Sequence, residues 1–291
     1  MSLSVAVYAQ THRSGSLPYV TELLELLAGK TPDILLNESV HREISTALPA
    51  SVRTYRQDEK LSGKTELLIS VGGDGTFLRA VRYVAGSGIP VIGINTGRMG
   101  FLATVHKEQM RQAVEELFRG KYQVSPRTLI EVEAEQTGEK FYALNEITVS
   151  RKNSTGMIRI DAYVNGEQLN RYWADGLILA TPTGSTGYSL SCNGPIAAPD
   201  VPLFILTPIA PHSLNVRPLT IHDDSRVRLV IHSREQEFLL SIDSEVTSLK
   251  EGTAVNARKA PFRLNMIRLT GQSFIKTLKE KLLWGSDTRN Y

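Results

Sequence analysis

The first third of the chain alternates short apolar runs with runs in which apolar residues recur every three or four positions. The apolar runs predict buried strands over 4–9, 66–71 and 89–95. The helical spacing predicts helices over 19–27, 76–84 and 108–118. Strands that alternate with helices indicate a parallel α/β sheet, in which ligands bind at the carboxyl ends of the strands.

The pattern changes after about Tyr122. Short apolar or alternating runs, separated by polar turns, predict strands over 129–135, 141–150, 157–164, 177–180, 226–232 and 237–243. Helical spacing returns over 273–284, with Ser273 as the N-cap. We therefore predict three parts: an α/β domain with a Rossmann-like parallel sheet (1–122), an all-β domain (123–268), and a C-terminal helix (269–291) that packs back on the first domain.

Composition and charge exclude several classes of protein. Of the 291 residues, 41% are hydrophobic and 22% are charged, which is typical of a globular protein. The net charge of +3 is spread along the chain, so we expect no nucleic-acid partner. The one cysteine, Cys192, excludes a disulfide framework, and no segment has the pattern of a signal peptide or a membrane span. We expect a cytoplasmic protein without a membrane partner.

Several familiar ligand motifs are absent or incomplete. Ser62 to Thr65 resembles the end of a P-loop, but Asp58 stands where the first glycine is required. No G-x-G-x-x-G follows a predicted strand. The six histidines have no metal-binding spacing, so we predict no protein-held metal site.

The glycine-rich turn after the strand 66–71 is the strongest chemical signal. It contains Gly72, Gly73, Asp74, Gly75 and Thr76 and leads into a predicted helix. Glycines let backbone amides approach a ligand, and a helix N-terminus favours anions. A carboxylate in such a turn repels phosphate unless it takes a proton from a substrate hydroxyl or holds a cation. The turn therefore indicates phosphoryl transfer, although a tight connection stabilised by an Asx turn is the simpler alternative.

A second loop, 181–189, combines five hydroxyl side chains with the aromatic ring of Tyr188. Hydroxyls bind ribose and phosphate without adding charge, and Tyr188 could stack on a base or a nicotinamide. The alternative is a polar turn that caps the next helix, for which one hydroxyl would suffice.

Two shorter segments are less specific. Asn145 and Glu146 offer donors and acceptors that match an adenine edge, a carboxamide or a ribose diol, but a pair of surface residues on a strand is the commoner explanation. Arg98, in the segment 95–102, could contact either phosphate or solvent.

Taken together and in this order, these motifs resemble the NAD kinase family. The resemblance covers most of the chain beyond about residue 65 and rests on segments 72–76, 93–102, 145–146, 175–176, 183–191, 194–196, 208–218 and 278–285. The glycine–aspartate turn alone is shared with lipid kinases and phosphofructokinases, whereas the 181–191 loop with Asn145 and Glu146 is far more specific.

The resemblance implies an α/β first domain and a β-rich, NAD-binding second domain. It implies transfer of the γ-phosphoryl group of ATP to the 2′-hydroxyl of the adenosine ribose of NAD, with a divalent cation such as Mg²⁺, to give NADP. It also implies a homo-oligomer, usually a tetramer, whose active sites share residues between subunits.

The resemblance also assigns roles to residues. Asp74 would be the catalytic general base, Gly75 and Phe101 would line the adenosine side, and Arg79 would reach the dinucleotide. Asp175, from a neighbouring subunit, would hold the nicotinamide half. The predicted binding residues are Gly73, Asp74, Gly75, Arg79, Phe101, Asn145, Glu146, Asp175, Thr183, Thr186, Gly187, Tyr188, Ser189, Leu190, Ser191 and Ala210.

Three positions depart from the family pattern. Trp173 stands where many bacterial relatives carry arginine, Glu245 where glutamine is frequent, and Asn193 in place of a usual glycine. Because of these departures, the sequence does not decide whether the protein also phosphorylates the reduced dinucleotide, NADH. Two other functions stay possible at this stage: a lipid or sugar kinase built on the same turn, and a non-catalytic NAD or NADP sensor.

Overall fold

The computed structural model describes most of the chain. The described residues are 3–11, 15–44, 48–49, 51–56, 59–61, 63–97, 100–135, 138–153 and 156–284. Arg98, Ser62 and the end of the matched segment 278–285 lie outside them. No helix among the described residues is long and apolar enough to cross a membrane.

The strands are numbered in chain order. They are β1 (Val5–Ala9), β2 (Ile34–Asn37), β3 (Val52–Tyr55), β4 (Leu67–Val71), β5 (Val91–Asn95), β6 (Val105–His106), β7 (Tyr122–Ala134), β8 (Lys140–Ala143), β9 (Glu146–Arg151), β10 (Ile158–Val164), β11 (Glu167–Ala174), β12 (Gly176–Ala180), β13 (Leu203–Ile209), β14 (Leu219–His222), β15 (Val227–His232), β16 (Glu237–Ile242), β17 (Glu245–Lys250) and β18 (Ala254–Leu269).

The helices are fewer and lie mainly in the first part of the chain. They are α1 (Leu17–Ala28), α2 (Glu38–Ile44), α3 (Asp74–Val84), α4 (Met110–Phe118), α5 (Tyr188–Ser191) and α6 (Phe274–Leu282). Short 3-10 turns cover Lys107–Gln109 and Thr183–Thr186.

The chain divides into two compact units. The first contains residues 1–126 and 264–291, and the second contains residues 127–263.

The first unit is built on a parallel sheet with the order β5-β4-β1-β2-β3. Every residue of β1, β4 and β5 is buried, as expected for continuous apolar strands that are covered on both faces. The apolar sides of α1 and α4 pack into the same core as β1 and β4. The predicted parallel α/β architecture is therefore confirmed, and its strands β4 and β5 end at the two loops that carry the candidate chemistry.

The C-terminal segment, residues 264–291, belongs to this first unit, so the return that we predict for the C-terminal helix begins within the last strand. Met266, near the end of β18, pairs in parallel with Val91 of β5, and Ile267 and Leu269 lie in the core of the first unit. Helix α6 begins after Ser273, whose side chain accepts a hydrogen bond from the backbone N–H of Lys276 at 3.1 Å. Ser273 is thus the N-cap that the sequence predicts.

The second unit consists of two antiparallel sheets. One has the order β14-β13-β12-β9-β16-β17, and the other contains β11-β10-β15-β18 together with β7 and β8. A single hydrophobic cluster draws side chains from both sheets, including Phe204, Phe238 and Leu229. The prediction of a β-rich second part is confirmed, with α5 as a short helical addition.

One predicted strand is wrong in an informative way. The run 141–150 was expected to be continuous, but it is interrupted at Leu144 and Asn145, between β8 and β9. The pattern of apolar residues also failed to predict β2, β3, α2, β6, β11, β13, β14, β17 and β18. Several of these elements are short or have many polar residues, but β18 has 16 residues and was missed all the same.

Candidate active site

The glycine–aspartate turn joins β4 to α3 in the first unit. Gly72 has φ +150°, and a Cβ atom there would lie 2.7 Å from Cβ of Thr76, so only glycine fits. Gly73 is the N-cap of α3, and Asp74 is the first residue of the helix. The turn therefore brings the amide end of α3 and one carboxylate to the carboxyl end of β4.

The carboxylate of Asp74 is bound by the loop that follows β5. Its Oδ2 accepts a hydrogen bond from the N–H of Phe101 at 2.7 Å, and its Oδ1 accepts from Leu102 at 3.1 Å and Ala103 at 2.9 Å. A Cβ atom at Gly100 would overlap the carboxylate. A carboxylate offers about four lone-pair directions, so three donors hold Asp74 and leave one direction for a ligand.

Gln10 is a part of this site that the sequence analysis missed. When its amide oxygen faces Arg79, Gln10 accepts from Nε of Arg79 at 3.2 Å and donates to Oγ1 of Thr76 at 3.2 Å. It follows the carboxyl end of β1, beside β4, and that position in a parallel sheet is the signal that could have identified it. Gln10 therefore links the predicted ligand-binding Arg79 to the glycine–aspartate turn.

In the second unit, Asn145 and Glu146 form a turn held by a distant carboxylate. Asp243 accepts hydrogen bonds from the N–H groups of Leu144 (3.0 Å), Asn145 (2.8 Å) and Glu146 (3.1 Å). Asp243 follows β16 with φ 51°, in the left-handed region, which directs its side chain at this turn. The interruption of the predicted strand 141–150 has this cause: a side chain takes the backbone donors that a neighbouring strand would otherwise bind.

The 181–189 loop packs on the same turn. Thr181 donates its backbone N–H to the carbonyl of Asn145 at 2.8 Å and its hydroxyl to the carbonyl of Leu144. A Cβ atom at Gly184 would lie 2.7 Å from Cα of Asn145, and one at Gly187 would lie 2.8 Å from Oε2 of Glu146. Gly184 is required because its backbone touches the backbone of Asn145, and Gly187 leaves room for the side chain of Glu146.

The hydroxyl groups of this loop differ in what they bind. Ser185 and Ser189 are fully buried and already paired: Ser185 with the backbone of Pro182, at 2.7 Å, and Ser189 with the hydroxyl of Thr207, at 2.8 Å. Thr186 donates to the carbonyl of Thr183 at 3.2 Å. Tyr188 and Ser191 are exposed, and Leu190 is half-buried. Part of the hydroxyl cluster therefore stabilises the loop itself.

Three buried polar atoms around the turn have no hydrogen-bond partner among the described residues. They are Oδ1 of Asn145, Oε2 of Glu146 and Oγ1 of Thr183. A buried polar atom without a partner costs about 1–3 kcal/mol, and such atoms in a folded protein call for an explanation. A polar ligand that completes these bonds would provide one.

The electrostatics of this turn are unusual. Burial raises the pKa of Glu146 to about 8, and the negative charge of Asp243 adds to the shift. Burial also raises the pKa of Asp243 to about 6, although its three backbone donors act in the opposite direction. Two acidic groups with raised pKa values are thus adjacent, a feature that is common at functional sites.

The remaining predicted residues lie next to strand ends (Asp175, Ala210), in the loop after β5 (Phe101) and on α3 (Arg79). Asp175 precedes β12 and forms an ion pair with Arg151 at 3.1 Å, and its charge helps to raise the pKa of Tyr188 after the larger effects of burial and Cys192. Ala210 follows β13 and has φ 43°, a left-handed conformation that is costly for alanine. Phe101 is half-buried, and Arg79 is exposed on α3.

The described residues contain one cluster with the composition of a metal site, formed by His222, Asp223 and Asp224. Nζ of Lys259 lies 2.9 Å from Oδ2 of Asp223 and 3.2 Å from Oδ1 of Asp224. The Lys259 ammonium already binds both carboxylates and offsets one of their two charges, so we assign no metal ion to this cluster.

Two family models match the chain. The ATP-NAD kinase N-terminal domain matches residues 11–122, and the ATP-NAD kinase C-terminal domain matches residues 144–269. The NAD kinase of Flavobacterium psychrophilum is 43% identical over 99% of this chain and 100% of its own length. The NAD kinase of Bacteroides fragilis is 38% identical over the same shares of the two chains.

Solved structures show the same likeness. Yeast NADH kinase complexed with NADH has a TM-score of 0.88 and 27% identity, over 100% of this chain and 90% of that chain. An NAD kinase from Archaeoglobus fulgidus in complex with ATP has a TM-score of 0.71 at 24% identity, covering 97% of this chain and 99% of that chain, and supports the fold alone.

Proposed function

We propose the roles of the site residues from one premise: the chain belongs to the ATP-NAD kinase family and is an NAD kinase. It transfers the γ-phosphoryl group of ATP to the 2′-hydroxyl of the adenosine ribose of NAD. The bond between the ribose oxygen and the γ-phosphorus forms while the bond from that phosphorus to the β,γ-bridging oxygen breaks, and ADP leaves. The hydroxyl proton goes to a general base, which we assign to Asp74.

The assignment of Asp74 is supported by the geometry of its carboxylate. Three backbone donors from residues 101–103 fix its orientation and leave about one lone-pair direction open. A general base has to be held within hydrogen-bond reach of the proton that it abstracts. We propose that the 2′-hydroxyl donates to this open direction, with Gly73 and Gly75 beside it and Arg79 close to the phosphates.

The proposal that this site binds a dinucleotide rests on one observation. Buried polar atoms of Asn145, Glu146 and Thr183 have no hydrogen-bond partner among the described residues. We propose that the hydroxyls, ring nitrogens or carboxamide of NAD complete these hydrogen bonds. Tyr188, exposed beside them, would stack on a ring of the ligand, and Ser189 would act through its place in the loop because its hydroxyl is paired with Thr207.

We propose that the divalent cation enters with ATP, as part of the donor substrate. Mg²⁺ commonly keeps several waters and is bound through substrate phosphates with one or two carboxylates. The cluster His222–Asp224 does not serve this purpose, because Lys259 pairs with it.

We further propose a homotetramer in which Asp175 contributes to a neighbouring subunit's site. Light scattering coupled to gel filtration would measure the mass of the oligomer.

The alternatives from the sequence analysis are not favoured. A lipid or sugar kinase would share the glycine–aspartate turn, but the match to NAD kinases extends over nearly the whole chain. A non-catalytic sensor would bind NAD without forming NADP, so an assay of NADP formation distinguishes it from an enzyme.

The test is a coupled assay with purified protein, ATP, Mg²⁺ and NAD, in which an NADP-specific dehydrogenase detects the product. We expect NADP to form. Parallel reactions with NADH, and with polyphosphate as donor, define the acceptor and donor range. If no NADP forms with any donor and several divalent metals, the proposed activity is wrong.

A further inference from the structure

The carboxyl groups of Glu146 and Asp243 belong to the same turn of the second unit. Asp243 binds the N–H group of Glu146 itself, at 3.1 Å, and in return donates its own N–H to the carbonyl of Glu146 at 2.9 Å. Glu146 is 8% exposed. Two carboxylates in one buried site do not both ionise readily, because each charge opposes the other and neither is fully solvated.

The hydrogen bonds decide which of the two groups carries the charge. Asp243 accepts from three backbone donors, whereas Glu146 accepts one backbone hydrogen bond, from Tyr188, and its Oε2 has no partner. Among the described residues, no lysine or arginine pairs with Glu146. The negative charge is therefore best placed on Asp243, and the proton on Glu146.

We infer that Glu146 acts as a neutral carboxylic acid that donates a hydrogen bond to an acceptor atom of NAD, and that Asp243 is the positioning residue that holds the 144–146 turn and keeps Glu146 protonated. The inference rests on the proposed function, since NAD is taken to be the ligand of this turn. It concerns specificity, because an ionised glutamate only accepts hydrogen bonds whereas the acid form also donates one.

The electrostatics agree with this arrangement. With a pKa of about 8, Glu146 is mostly protonated at pH 7, while Asp243, with a pKa of about 6, is mostly ionised. Among the described residues, the Cys192 thiol also interacts with Glu146, and that thiol contacts the Tyr188 phenol; burial raises the pKa of both groups, and Asp175 interacts with the phenol.

The consequence is a defined dependence of NAD affinity on pH. When Glu146 loses its proton, its donor is lost and a buried negative charge faces the ligand. Affinity should be constant around pH 7 and weaken above pH 8, by about tenfold at pH 9 relative to pH 7, since each unit above the pKa lowers the acid form about tenfold.

Isothermal titration calorimetry of the full chain with NAD alone, from pH 7 to 9.5, measures this dependence. In Glu146→Gln the amide keeps a donor, so we expect affinity within a few-fold of wild type at pH 7 and no weakening up to pH 9. Glu167→Gln, which changes an exposed carboxylate of the same unit, should keep the wild-type profile. Cys192→Ser should keep it as well, which separates Glu146 from the nearby thiol.

Asp243→Asn tests the positioning role. Without the charge of Asp243, Glu146 ionises more easily, so the loss of affinity should begin at lower pH than in wild type. Circular dichroism checks that the variant folds. If Asp243→Asn does not fold, the pH dependence of NAD affinity in Glu146→Gln still tests the inference.

The outcomes separate the inference from the function on which it rests. NAD affinity that rises with pH, or a loss of affinity above pH 8 that persists in Glu146→Gln, would overturn the inference while NADP formation in the coupled assay still stands. Absence of both NAD binding at pH 7 and NADP formation would overturn the two together.

Discussion

At the scale of single residues, Asp74 has two tasks that usually fall to different side chains. It anchors the backbone of residues 101–103 and, in our proposal, accepts the proton of the attacking hydroxyl. A substitution at Asp74 therefore changes the loop and the chemistry together. Separating the two tasks needs a second position that moves the carboxylate without removing it.

Asp74→Asn should reduce kcat by a factor of roughly 10²–10⁴, the usual contribution of a general base. The amide keeps one acceptor oxygen, so part of the loop anchoring survives and NAD binding should stay largely intact. Turnover is measured by the coupled assay and binding by calorimetry. Normal turnover in this variant would show that Asp74 is not the base.

Gly100→Ala should reduce kcat by about 10²-fold while Asp74 remains present, because the added Cβ overlaps its carboxylate and a misplacement of about 1 Å costs that much. Gly97→Ala is the matched control: it lies in the same loop, and its Cβ would meet nothing within 4 Å. Equal activities of the two variants would argue against the importance of the carboxylate's position.

At the scale of elements, the site of the second unit lies where a predicted strand fails. The apolar pattern over 141–150 predicts one strand, but Asp243 binds the N–H groups of residues 144–146 and interrupts it. Periodicity reports which face of an element is buried and carries no information on side chains that bind backbone from far along the chain. The sequence therefore predicted Asn145 and Glu146 as a motif, but it could not predict that the carboxylate of Asp243 holds their backbone.

Gly184→Ala should separate the 181–189 loop from the turn, because its Cβ would press on the backbone of Asn145. We expect the free energy of unfolding to fall by about 1–3 kcal/mol, as for other overpacked sites, and NAD affinity to fall with it. Urea unfolding and calorimetry measure the two effects. Gly97→Ala is the control, because it replaces a glycine where the added Cβ has open space. Unchanged NAD affinity in Gly184→Ala would show that NAD binding does not depend on the contact between the loop and the turn.

At the scale of the whole molecule, the sequence predicted the class of each part but not the long-range contacts. Continuous apolar strands and the N-cap Ser273 are local signals, and both units have the predicted architecture. Gln10 and Asp243 act on residues 66 and about 98 positions away. Neither belongs to a local motif, so only the folded chain reveals them.

The stability of the whole chain should depend on pH through Glu146 and Asp243. Both have folded-state pKa values above their ordinary values, about 8 and about 6, so the folded state holds protons that the unfolded state releases. Stability should therefore fall as pH rises from about 4.5 to 8 and level off above that. Burial opposes the ionisation of Asp33 and Asp161, but hydrogen bonds from Ser4 and Arg53 to Asp33 and from Arg171 to Asp161 outweigh it and lower both pKa values; these two groups act in the opposite direction only below about pH 4.

Glu146→Gln should remove most of this slope and raise the free energy of unfolding at pH 8 by roughly 1–3 kcal/mol. Urea unfolding at pH 5, 6, 7 and 8 measures it, with Glu167→Gln as the control. A wild-type slope in Glu146→Gln would show that Glu146 is ionised in the folded protein.

The return of the C-terminal segment to the first unit has a consequence for biosynthesis. Met266 pairs with β5, and Ile267 and Leu269 complete a core whose other members come from the first 122 residues. A ribosome therefore synthesises the whole second unit before the chain can close the first one. Until then β6 covers the β5 edge at Ile94 and Asn95, but the edge at Val91 lacks its partner Met266, the kind of incomplete edge that favours chaperone binding in nascent chains. The second unit, whose residues are contiguous, can fold first even though it is made later.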